Sequence, residues 1–107
     1  MEGIAVKGRQ EPDIRWGSEN VFEDLGFPKH EAENLRLRSD LMTAILRLIE
    51  QQGLTQAAAA KRLGVSQPRV SDLTRGKIER FSLDALVTML ARAGIEVRLS
   101  LKRRPAA

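Results

Sequence analysis

The chain has no cysteine and no tyrosine, one histidine, and no apolar run long enough to cross a bilayer. Without cysteine there is neither a disulfide nor a thiolate metal site, a composition compatible with a reducing compartment. The missing apolar run excludes a helical membrane span. Residues 1–20 carry Glu2, Lys7, Arg9, Glu11, Asp13 and Arg15 and no apolar core stretch, so they do not read as a secretory signal, and the cytoplasm is the expected location. Catalysis needs poised acids, bases or nucleophiles, and a chain lacking cysteine, tyrosine and a glycine-rich phosphate loop is not expected to be an enzyme. His30, Glu31 and Glu33 read as solvated charges at a helix start rather than as ligands, so no metal or cofactor is expected.

What is present suits one compact unit. A length of 107 residues closes a single modest core, and 42% hydrophobic with 30% charged residues fits a globular domain. The net charge of +4 conceals an asymmetry: residues 1–40 hold six basic and nine acidic side chains, residues 55–80 six basic and two acidic. A concentrated surplus of this kind attracts polyanions through Coulomb steering and counterion release.

Residues 1–20, with three glycines and few large apolar groups, read as a flexible arm, and residues 21–107 as the domain. Trp16 in that arm is a candidate anchor, for a partner or for the protein's own surface. Val21, Phe22, Leu25 and Phe27 supply apolar anchors ahead of Pro28, after which no Gly or Pro interrupts residues 29–52. There Leu41, Ile45, Leu48 and Ile49 recur at helical spacing. Thr55 can cap a short alanine-rich helix over 56–63, Gly64-Val65 breaks it, and Ser66 can cap a third helix that tolerates Pro68 in its first turn and stops at Gly76. Ser82 can cap a fourth, with Leu83, Leu86, Val87 and Leu90 as its apolar face. Beyond Gly94 the period becomes two: Ile95, Val97, Leu99 and Leu101 alternate with Glu96, Arg98, Ser100 and Lys102, as in a half-buried strand. The expected class is mainly α, a four- to five-helix bundle with a C-terminal β-strand. That strand needs a partner, either a segment such as Ile4 to Val6 or the same strand of a second subunit, and pairing across a homodimer is the favoured expectation.

Residues 56–75 meet the demands of two helices crossing through a tight turn. Ala60 gives the small side chain a close crossing requires, Gly64 can take positive φ, Val65 plugs the corner beside Leu63, and Val70 and Leu73 face inward. Gln67, Pro68, Arg69, Ser71, Asp72 and Arg75 are left on a polar outer face. Such a face enters the major groove in helix-turn-helix proteins, with its N-terminal side chains at base edges. Gln67 and Arg69 are the leading candidates, glutamine for adenine and arginine for guanine, each pair giving about 1 to 3 kcal/mol of discrimination. Asp72 can accept from a cytosine amino group or orient Arg69 or Arg75, and Pro68 can touch a thymine methyl.

The stretches Asn20 to Phe27, Leu54 to Ala57, Gly64 to Ile78 and Phe81 to Asp84 resemble the XRE (Cro/C1-type) helix-turn-helix family, and more closely its HigA-type antitoxin branch. That resemblance implies a homodimer binding a double-stranded DNA operator, repressing its own operon and neutralising a partner toxin, usually an mRNA-cleaving one. The alternative is a stand-alone XRE-type regulator with no toxin partner. It also implies phosphate contacts at Gln56, Ser71, Thr74, Arg75, Lys77 and Arg80, where hydroxyl and cationic donors suit the task. One such unit reads few bases, so two copies on half-sites about one helical turn apart are expected, with Ile95, Val97, Leu99 and Leu101 at the dimer interface.

Overall fold

The computed structural model describes residues 4–7 and 20–103, with side chains from Asn20 onward. The element order is β1 (Ile4–Lys7), α1 (Val21–Asp24), α2 (Lys29–Gln51), α3 (Gln56–Leu63), α4 (Gln67–Thr74), a 3-10 turn (Ile78–Arg80), α5 (Leu83–Arg92) and β2 (Glu96–Leu99). Five helices and a C-terminal strand are the mainly α class that the spacing predicts. Most of the expected flexible arm lies outside the described residues.

Four of the five described helices start on a side-chain cap; α2, which begins directly after Pro28, has none. Thr55 Oγ1 accepts from the Ala58 amide at 3.1 Å, and Ser82 Oγ accepts from the Ala85 amide at 3.1 Å. Asn20 does two jobs: its side-chain oxygen accepts from the Phe22 amide, and its amide nitrogen donates to the Ala32 carbonyl at 3.1 Å, tying α1 to α2. The short helix α1 was legible only as a group of apolar anchors, and these bury less than anchors should. Phe22 is half-buried with its ring edge-on to Phe27, whereas Val21 and Leu25 are 59% and 69% exposed.

α2 is the post on which the other helices pack. Leu41, Ile45 and Leu48 are buried as the periodicity predicts, with Met42 and Ala44 beside them. They meet Leu63 of α3, Val70 and Leu73 of α4, and Leu86, Met89 and Leu90 of α5 in one continuous core. Val87, expected on the inner face of α5, is 39% exposed, and Met89 and Ala93 take the inner positions. α5 packs on α2 and α3, and the flexible Met89 is among the side chains it buries in the shared core.

The strand finds its partner within the chain. β2 pairs antiparallel with β1 in the register Ile4↔Leu99, Ala5↔Arg98, Val6↔Val97 and Lys7↔Glu96. The second-subunit pairing favoured from sequence is therefore not the pairing observed, and the segment around Ile4 to Val6 supplies it instead. An intrachain partner satisfies the ladder groups of that edge without an association step. Ile95, just before the strand, is buried in the bundle, Val97 packs partly against it, and Leu99 and Leu101 are 65% and 93% exposed. Among the described residues no helix is long and apolar enough to cross a membrane.

Candidate nucleic-acid interface

The turn between α3 and α4 carries the site. α3 ends because Gly64 adopts φ +71°, and the Gly64 and Val65 amides both donate to the Ala60 carbonyl. Positive φ, rather than crowding, is what requires glycine there. A Cβ would come within 2.6 Å of the Arg92 side chain, whose flexible end can move aside. Ala60 is buried at the crossing, as its small size predicts. Ser66 then starts α4 by accepting from the Arg69 amide at 3.4 Å, and Pro68 falls in the first turn, where its missing N–H costs nothing.

With Val70 and Leu73 buried, the polar face of α4 points away from the core. Gln67, Pro68, Thr74 and Arg75 are exposed, and Ser71 and Asp72 are half-buried. Gln67 and Ser66 share an open notch with Thr55, Ala57, Ala58 and Lys61 of the preceding helix. Gln56 is exposed at the start of α3, Lys77 half-buried and Arg80 exposed just beyond α4. One chain segment thus brings together nearly all the predicted contacts. Thr74 Oγ1 donates to the Ser71 carbonyl at 2.9 Å, so its proton is already engaged.

Arg69 departs from the expected geometry. Its guanidinium carbon lies 4.2 Å from the centroid of the Phe81 ring, and Nη1 donates to the Arg80 carbonyl at 2.9 Å. Placed one position before the inward-facing Val70, it leaves α4 on the side of the following turn and α5 rather than on the face that Gln67 opens. Asp72 also has a different partner from those foreseen: its carboxylate is 3.5 Å from Arg80 Nη1, and not paired to Arg69 or Arg75. Arg80 is 54% exposed and the contact is long, so the cation stays available to an outside anion.

Two residues of the site escaped sequence reading. Lys61 lines the notch, and the local basic surplus was the signal that could have found it. Arg38 of α2 donates through Nη1 to the Ile78 and Phe81 carbonyls at 3.2 and 3.4 Å. No local pattern announces a contact across 40 residues.

The family model of a helix-turn-helix domain matches residues 21–102. This chain belongs to the helix-turn-helix domain family. A solved structure of a protein assigned to the XRE family of transcriptional regulators is 37% identical, with a TM-score of 0.65 over 70% of this chain and 84% of that one. The helix-turn-helix is therefore of XRE type. No curated protein matches the chain. In this XRE-type domain α3 and α4 are the two helices of the motif, and residues 56–75 fall wholly within the matched region.

Proposed function

We propose that the protein is a sequence-specific DNA-binding transcriptional regulator that lays α4 in the major groove of an operator. The observation that carries this is the outward face opened by Gln67 at the N-terminus of α4, held steady because Val70 and Leu73 on the opposite side are locked in the core. Gln67 is the leading base reader, Pro68 offers its ring to a thymine methyl, and Asp72 borders the same face. Gln56, Ser71, Arg75, Lys77 and Arg80 flank it as phosphate contacts, which set register and affinity without carrying sequence information. Thr74 joins them by redirecting its hydroxyl. The likeness to an XRE family transcriptional regulator supports the regulatory reading.

Two copies on adjacent half-sites supply enough base pairs for specificity. Exposed Leu99 and Leu101 of the C-terminal segment are the side chains such a dimer would cover, Ile95 and Val97 being engaged by the bundle itself. The antitoxin reading extends the regulatory one. It draws on the resemblance of the Gly64 to Ile78 and Phe81 to Asp84 stretches, and its check is co-purification with the product of an adjacent toxin-like reading frame.

Duplex titrations at several salt concentrations test the DNA reading. Gln67→Ala should relax preference at one base pair by about 1 to 3 kcal/mol, whereas Lys77→Ala should weaken all duplexes alike and reduce the salt slope by about one. A wild-type protein that ignores every duplex at low ionic strength sinks the proposal.

A further inference from the structure

The three-residue turn Ile78–Arg80 follows α4 and carries one of the proposed phosphate contacts, Arg80, with another, Lys77, immediately before it. A single 3-10 turn has poor hydrogen-bond geometry and does not hold its shape alone. Here two arginines from separate elements hold it. Arg38 of α2 donates to the Ile78 and Phe81 carbonyls, and Arg69 of α4 donates to the Arg80 carbonyl between them while lying over the Phe81 ring. Phe81 is 1% exposed, so the ring is a fixed platform. The backbone of α4 joins the same assembly, since the Lys77 amide donates to the Asp72 carbonyl at 3.0 Å.

We infer that Arg69 is a positioning residue of the DNA interface: with Arg38 it clamps the turn that presents Lys77 and Arg80 to phosphates, and it touches no base. To read a base edge it would have to give up both a 2.9 Å hydrogen bond and its aromatic platform. A planar fork that stacks and donates at once is a task arginine performs and lysine does not. The inference rests on α4 being the groove helix.

The probe is a pool of short duplexes with a randomised centre, from which wild-type protein selects preferred sites. Wild type, Arg69→Lys and Arg38→Lys are then titrated with a selected duplex and with the unselected pool over a range of salt. Arg69→Lys keeps the charge and loses the clamp. Its base preference should match wild type at every position, while affinity for both probes falls several-fold and the salt slope becomes shallower by about one to two, as when the Lys77 and Arg80 contacts loosen. Arg38→Lys, on a helix outside the groove, should give the same signature and serves alone if Arg69→Lys does not fold. Lys77→Ala should cost less in the Arg69→Lys background than in wild type. Loss of preference at a single base pair with the wild-type slope would make Arg69 a base reader and overturn the inference. A lowered melting temperature with slope and preference unchanged would overturn it too, leaving only a structural role. Failure of wild type to select any duplex brings down the DNA reading itself, and is recognised before any substitution is made.

Discussion

Asp40 is 2% exposed on α2, with the Arg36 guanidinium 3.3 Å away and Glu33 paired to the same arginine at 2.7 Å. Burial outweighs the attraction of Arg36, and with Glu33 adding repulsion the Asp40 carboxyl is pushed up from 3.8 to about 6. A group whose folded pKa exceeds its unfolded value holds its proton more tightly in the native state. Its stabilising contribution is complete below about pH 3.8 and is lost as pH rises through about 6. Asp40→Asn removes that loss, so relative to wild type the variant should gain on the order of 2 kcal/mol between about pH 4 and pH 7, read from urea midpoints. An unchanged difference between the two proteins at both pH values counts against the buried carboxyl. Nothing in the spacing of Asp40 separates it from a solvated helix charge, because burial is decided by which neighbours arrive.

The helix pair α3 and α4 was the most legible part of the chain. Ala60, Gly64, Val65, Ser66, Val70 and Leu73 each answer a local demand of a tight crossing, and local demands leave marks at fixed spacing. Ala60→Leu should overpack the crossing and cost about 1 to 3 kcal/mol, seen as a lower melting temperature, with a wild-type transition refuting the close approach. Arg69 was less legible. Its charge assigned it to the outer face of α4, but two residues on from Gln67 it leaves the helix on another side, toward the following segment, where the Phe81 ring and the Arg80 carbonyl engage its guanidinium. Val87 failed for a related reason: the period marks an apolar arc, while the facing helices α2 and α3 choose which part of the arc is inside, and here they chose Met89.

At the scale of the molecule, the apolar side of the C-terminal segment runs past the core that the chain itself provides: Ile95 is 5% exposed, Leu99 65% and Leu101 93%. If a second copy covers its end, Leu99→Glu with Leu101→Glu should give monomers in light scattering without lowering the melting temperature of the domain, and a retained dimer would move the interface elsewhere. Val97→Glu is the poorer probe, since Val97 packs against the bundle and a charge there also unsettles the fold. The amino-acid sequence alone determined the four longer helices, the caps at Thr55, Ser66 and Ser82, the turn at Gly64 and the membership of residues 56–75 in one crossing pair, because helix periodicity, capping and φ preference act over a few residues. Tertiary structure alone decided that β1 pairs with β2, that Asp40 is buried, and that Arg38 and Arg69 meet at one turn. Those contacts join residues far apart in the chain, and their energies exist only once the core has set the distances between them.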